Sequence, residues 1–229
     1  MGALAQTKLT RSYPVKSGDK LELSFDYPQV VRISTWDKNE VSVTAMVNIN
    51  DGESDTAFKL EDQTADGVLT ISNKISDMKH LPHRYTVIDA SGKKSMFRTR
   101  ELFDEYTSTH GHGNRMTSDG VDMEITIEIK VPVNISTNVK ATYGIVELVN
   151  FNAPATVNAP YGGIDATVVQ ANTGKLQATT HYGQILSNLD LTLTDKTDKD
   201  FFTSITAEPG KGPAYILNST YGKIYLRKP

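Results

Sequence analysis

The sequence predicts an all-β chain wound as a right-handed β-helix-like solenoid, with irregular strands before it and a long polar excursion. Three observations carry this. A short pattern recurs as Tyr143-Gly144-Ile145, Tyr161-Gly162-Gly163-Ile164, Tyr182-Gly183-Gln184-Ile185 and Tyr221-Gly222-Lys223-Ile224. Its tyrosines are 18, 21 and 39 residues apart, and a period near 20 marks repeats that bury their apolar faces against their neighbours. Apolar and polar residues alternate at period two over most of the chain, and long apolar helical stripes are absent. A β-sandwich with Tyr-Gly at its turns is the competing arrangement, but it does not explain a shared period.

Residues 7 to 50 read as strands and turns. Leu21, Leu23 and Phe25 alternate, then Val31, Ile33 and Thr35, then Val41, Val43, Ala45, Val47 and Ile49. Phe58-Lys59-Leu60 and Val68-Leu69-Thr70-Ile71 flank Thr64-Ala65-Asp66-Gly67 and predict a hairpin. Residues 76–120 form a polar insertion without regular strands, in which Glu101, Leu102, Phe103 and Tyr106 suit one or two helical turns. Met123 to Val133 alternate as the longest strand and lead into the coil.

Within the coil, Val139, Ala141 and Tyr143 alternate with Lys140 and Thr142. Leu176, Ala178, Thr180 and Tyr182 alternate with Gln177, Thr179 and His181. Side chains two apart share a strand face, which puts the first member of each series inside. Glycine then suits a corner with φ > 0, and Ile145, Ile164, Ile185 and Ile224 restart the strands. Stacked laps ~4.8 Å apart place the tyrosines in a column, each above the one before. The 39-residue gap reads as a worn copy near Phe201-Phe202, and Asn152-Ala153-Pro154 and Asn172-Thr173-Gly174 read as second corners.

Composition bounds the function. The chain has 229 residues and a net charge of −3, so no basic excess points to nucleic acid. No run of 18 apolar residues predicts a membrane span. The absence of cysteine removes disulfides, thiolate metal sites and a cysteine nucleophile. Ala3-Leu4-Ala5-Gln6 is a small-x-small pattern of the kind a signal peptidase cuts. On this reading residues 1–5 are an added start and a leader remnant, 6–229 are one β domain, and the protein is exported to the periplasm, the outer surface or the medium.

Chemistry-bearing clusters are few. His80, His83, His110 and His112 fall in the polar insertion, and His110-Gly111-His112 with Glu101 or Asp104 has ligand-type residues. The spacing of a metalloprotease helix is missing, so a solvated loop is expected, with no metal and no cofactor. Glu147, Asp165, Asp190 and Asp195 lie 4, 4, 8 and 13 residues after their preceding tyrosines. Glu147 and Asp165 share a phase, as paired carboxylates of a polysaccharide-active β-helix enzyme would. Scattered surface charge is the expected reading of both. There is no Gly-x-Ser-x-Gly elbow, phosphate loop or dinucleotide fingerprint. The outward residues Lys140, Thr142, Gln177, Thr179 and His181 form polar rows suited to an extended ligand, a glycan or a surface protein.

Several stretches resemble a family. Ile33-Ser34-Thr35-Trp36-Asp37-Lys38-Asn39-Glu40-Val41, Lys130-Val131-Pro132, the Tyr-Gly-x-Ile corners and Tyr221-Gly222-Lys223-Ile224-Tyr225-Leu226 are similar to bacterial putative adhesins with β-strand repeats. The resemblance covers residues 10 to 226. It implies an exported β-helical protein related to adhesin head regions, with no catalytic motif to carry over. The expected function is a surface adhesin without enzyme activity, able to self-associate through open strand edges. A polysaccharide-active enzyme and a structural envelope module without ligand are the alternatives.

Overall fold

The computed structural model describes residues 6–110 and 114–229. Its contacts divide the chain into two compact units. The smaller takes in Val47–Phe58 and Ile75–Glu124, and the larger Lys8–Met46, Lys59–Lys74 and Ile125–Pro229.

The strands run in chain order as β1 (Thr7–Pro14), β2 (Lys20–Phe25), β3 (Val30–Trp36), β4 (Glu40–Ile49), β5 (Phe58–Ala65) and β6 (Val68–Ile75). Next come β7 (Arg84–Asp89), β8 (Lys94–Phe97), the helix α1 (Arg100–His110), β9 (Asn114–Gly120) and β10 (Met123–Pro132). The coil follows as β11 (Ser136–Ala141), β12 (Ile145–Leu148), β13 (Ala155–Ala159), β14 (Ile164–Thr167), β15 (Lys175–Thr180) and β16 (Ile185–Ser187). It ends with β17 (Leu193–Lys199), β18 (Phe202–Ala207), β19 (Ala214–Ser219) and β20 (Ile224–Arg227). Among the described residues the chain is therefore all-β but for one helix and a few short 3-10 turns.

The long sheets are open. The first has the order β1-β4-β10-β3-β12-β14-β20-β16, and the second β17-β18-β15-β19-β13-β11-β2-β6-β5. From β11 to β16 the chain alternates between them, one strand in the second sheet and the next in the first; β17, β18 and β19 then all lie in the second sheet, and β20 returns to the first. Neighbouring laps pair parallel and in register. Val139 lies beside Leu23 and Val157, and Val146 beside Val31 and Ile164. Alternation buries one face of the inner strands, so Leu23, Val139, Val157, Leu217 and Ala178 form one inward row and Val31, Val146, Ile164 and Ile224 another.

Three expectations are corrected here. The laps do not stack in chain order. The last lap, β19 and β20, sits between β13/β14 and β15/β16, pairing parallel on both sides. Nor is the 39-residue gap a worn lap. Its extra length is a hairpin, β17–β18, which pairs antiparallel with the far edge of β15. The hairpin takes the end of the second sheet, leaving the returning chain a slot inside the stack. Its outer strand carries Asp195, Lys196, Asp198 and Lys199, charges that discourage edge-to-edge association. Finally, the insertion at 76–120 has regular structure: β7 lies between β8 and β9 in an antiparallel sheet, and an 11-residue helix comes between β8 and β9 in the chain where one or two turns were expected. Residues 1–5, with the leader pattern, and the central Gly111 and His112 of the histidine cluster lie outside the described residues.

Candidate functional site

The four Tyr-Gly corners come together along one edge of the larger unit, where the chain leaves the second sheet for the first. The glycines there do not adopt positive φ, contrary to expectation. Their requirement is space. A Cβ on Gly144 would collide with the carbonyl oxygen of Pro28, on Gly162 with that of Gly144, on Gly222 with that of Gly162, and on Gly183 with that of Gly222. Each corner thus rests directly on the backbone of the lap beneath. The corner amides continue the ladder: Tyr161 N donates to Thr142 O at 3.1 Å, Tyr221 N to Pro160 O at 2.9 Å, and Tyr182 N to Thr220 O at 2.7 Å.

Two corners add a side-chain brace. Ser219 Oγ accepts from Gly222 N at 2.8 Å and donates to Gly162 O at 3.0 Å. Thr180 Oγ1 accepts from Gly183 N and donates to Gly222 O, both at 3.2 Å. A buried hydroxyl so placed satisfies a donor of its own lap and an acceptor of the next. Ala141 and Ala159 hold the equivalent position in the other two corners. Ile145 restarts the strand after the first corner as expected, but it is exposed; the register partner of Ile164 is the next residue, the fully buried Val146.

The tyrosine rings turn outward, although strand alternation assigned them to the inside. Tyr143, Tyr161, Tyr182 and Tyr221 are 61%, 58%, 58% and 53% exposed. They stack as a column in spatial, not chain, order. Tyr143 to Tyr161 is 5.4 Å between centroids, Tyr161 to Tyr221 5.3 Å, and Tyr221 to Tyr182 5.1 Å, with planes within 20° of parallel. Two rings that the repeat pattern missed extend it. Tyr27 stands 6.4 Å from Tyr143, and Phe201 5.5 Å from Tyr182. Tyr27 was hidden because its corner carries Pro28 where the others have glycine, and is one residue longer: five steps separate Phe25 from Val30, four Ala141 from Ile145. Phe201 sits in the β17–β18 turn at φ 60°, a left-handed conformation that a bulky side chain seldom takes. Because the rings face one another, the column offers solvent their edges and hydroxyls rather than open ring faces.

Two outer faces flank this edge. On the first sheet, Glu128, Arg32, Glu147, Asp165 and Tyr225 lie in register across adjoining strands. Glu147 and Asp165 are neighbours, and each is engaged by an arginine. Arg32 Nε donates to Glu147 at 2.7 Å, and Arg227 Nε to both oxygens of Asp165 at 2.8 and 2.9 Å. The Glu147 hydrogen bond and charge raise the Arg32 pKa above its ordinary value. Asp190 pairs with Lys228 at 2.7 Å, whose hydrogen bond and charge lower its pKa, and Asp195 lies apart on β17. On the second sheet, Lys140, Gln177, Thr179 and His181 point outward as expected, with Thr142 at the corner, where it donates to Asp26 at 2.6 Å.

His80, His83 and His110 are dispersed in the smaller unit. His80 pairs with Asp77, His83 with Asp119 at 3.1 Å, and the His110 ring stacks on Tyr106 at 4.1 Å. Among the described residues no three His, Cys, Asp or Glu side chains group as metal ligands. No described helix is long and apolar enough to cross a membrane.

These features define an open, mostly parallel all-β protein with an exposed aromatic edge, and its fold is adhesin-like. The chain is similar to a putative cell adhesion protein from Clostridium sporogenes, at a TM-score of 0.52 and 8% identity over 98% of this chain and 100% of that one. At that identity the likeness is one of fold. A putative adhesin from Bacteroides fragilis aligns over 97% of this chain and 98% of its own at 12% identity, with a TM-score of 0.21. No family model matches the chain. No curated protein matches it either.

Proposed function

We propose that this is an exported, adhesin-like protein of the bacterial envelope that binds a surface ligand through the outside of its coil and catalyses no reaction. The coil is read as a β-helix-like winding with one lap inserted out of order. The observation that carries the proposal is the aromatic column. Six rings lined along one edge, five of them stacked and five more than half exposed, form a continuous apolar strip, and such strips mark interaction sites. Stacking also fixes the rings, so little side-chain freedom is lost when a partner docks. The fold likeness to the putative cell adhesion protein from Clostridium sporogenes supports the same role. Engagement of Glu147 and Asp165 by arginines favours binding over hydrolysis, since a general acid and a nucleophile need carboxylates that are available to substrate.

The test is adhesion of purified protein to whole bacterial and host cells. Tyr161→Ser with Tyr221→Ser should lower binding at least tenfold while the circular dichroism spectrum is kept. Unchanged adhesion would remove the column from the proposal. Release of soluble sugar from polysaccharide, abolished by Asp165→Asn, would replace it with an enzyme.

A further inference from the structure

The outer face of the second sheet carries a row that repeats once per strand. Ser24 pairs with Lys140, Lys140 with Asn158, Asn158 with Asn218, Asn218 with Thr179, and Thr179 with Ser204. The row crosses six strands, or five steps of ~4.8 Å, roughly 24 Å. It is also a groove. Two depressions of ≈ 200 Å³ and ≈ 390 Å³ lie along it and share Asn158. Together they fall within the size range of small-ligand sites.

We propose that this groove binds a neutral, extended oligosaccharide running across the strands. The chemistry of the row carries the assignment. From Asn158 to Ser204 it holds only amides and hydroxyls, so it offers no net charge to an ion. The charges nearer its other end, Lys140 and Glu22, are of opposite sign. The polar groups are held in place before any ligand arrives. Asn218 Nδ2 donates to Asn158 Oδ1 at 3.1 Å, Thr179 and Ser204 share a hydrogen bond at 3.0 Å, and Asn138 Nδ2 donates to Glu22 at 2.7 Å. An amide has two donors and two acceptor lone pairs, so Asn158 keeps both N–H groups and Asn218 keeps one N–H and its oxygen. A sugar chain presents hydroxyls at regular intervals along its length, and the row presents a partner at every strand. A peptide strand would instead seek unpaired backbone, which a sheet face lacks. Beside the last hydroxyls His181 meets Phe202 edge-on at 5.2 Å, an aromatic wall along one side of the row.

The inference rests on the binding role proposed above but not on the tyrosine column. It is tested by titration calorimetry with xylan, mannan and mixed-linkage glucan oligosaccharides, and with polygalacturonate as a charged arm. At least one neutral oligosaccharide should bind. Asn218→Ala and the near-isosteric Thr179→Val should each weaken it tenfold or more, with Arg32→Ala on the first sheet unchanged. Asn158→Asp, which adds a charge to the groove, should weaken it too. Failure of every neutral oligosaccharide to bind, binding unaffected by these substitutions, or binding of polygalacturonate alone would each overturn it. If cell adhesion still depends on the column when the groove variants have no effect, the groove assignment falls and the adhesive role stands.

Discussion

The two units of this chain are stabilised in opposite ways. The larger is held by repetition, with the same backbone ladder, inward row and glycine contact recurring at each lap. The smaller is held by single side chains that occur once. Asn50 is fully buried; its Nδ2 donates to Pro82 O at 2.8 Å, its Oδ1 accepts from Asp122 N at 3.0 Å, and its own N–H donates to Asp122 O at 2.9 Å. Glu53 bridges Arg84 and Arg98, and Lys94 reaches both Asp122 and Glu124 at 2.7 Å. Its aromatic residues cluster around Phe97, with Phe103 at 6.3 Å and Tyr106 at 4.9 Å, rather than forming a row. Repetition spreads the cost of a fault over neighbours that cannot move independently, whereas a single contact fails locally.

The largest effect should therefore come from a fault in the repeat. Gly162→Val sets a side chain against the Gly144 carbonyl, and the neighbouring lap cannot yield without breaking its own pairing. The expected loss is about 3 kcal/mol or more, read from the denaturant midpoint. Gly18→Ala is the control. Gly18 has φ 93° with open space around it, so only the left-handed penalty applies, about 1–2 kcal/mol. Equal losses at the two sites would show that conformation, not contact, selects glycine at the corners.

A fault in the smaller unit should be milder and confined. Asn50→Ala leaves the Pro82 carbonyl and the Asp122 amide without their partner and puts alanine at φ 54°, where asparagine is better tolerated. About 2–3 kcal/mol should be lost. Hydrogen-exchange protection should fall in β7 and β9 while that of β11 to β15 is kept. Loss of protection throughout the chain would remove the distinction between the units.

The same contrast decides what the sequence could reveal. The corners were legible because a pattern met several times outweighs local noise, and Tyr143, Tyr161, Tyr182 and Tyr221 repeat at related spacings. The order of the laps was not legible, because parallel strands of like pattern can exchange places without changing which residues are buried. Only the β17–β18 hairpin, which covers the far edge of β15, settles where β19 must go. The direction of the rings was missed for a related reason. Period two holds within a strand and lapses at the corner, so Ala141 predicts the side of Val139 but not of Tyr143. In the smaller unit Asn50 looks like an ordinary turn residue. Its worth depends on Pro82 and Asp122, more than thirty positions away. Of the proposed groove, Lys140 and Thr179 were read as outward, but Asn158 and Asn218 gained meaning only once they were neighbours.

The smallest effect concerns pH and a side chain that serves the coil once. Tyr215 is buried beside the Asn152-Ala153-Pro154 corner, where its hydroxyl donates to Phe151 O at 2.7 Å and its ring lies 6.1 Å from that of Phe151. Burial disfavours the phenolate and pushes the Tyr215 pKa up from 10.0 to about 12. The unfolded chain thus gives up this proton first as pH rises. The stabilisation is complete below the unfolded value and is lost progressively as pH climbs from 10 towards 12 and beyond. Tyr215→Phe removes the hydrogen bond and the titration together. At neutral pH it should cost about 1 kcal/mol, the net worth of one such bond. Between pH 10 and 12 the variant should lose stability more slowly than the parent, so their denaturant midpoints converge. Parallel curves over that interval would mean that Tyr215 reaches solvent readily enough to ionise in the folded state, and that the Asn152-Ala153-Pro154 corner is looser than the Tyr-Gly corners.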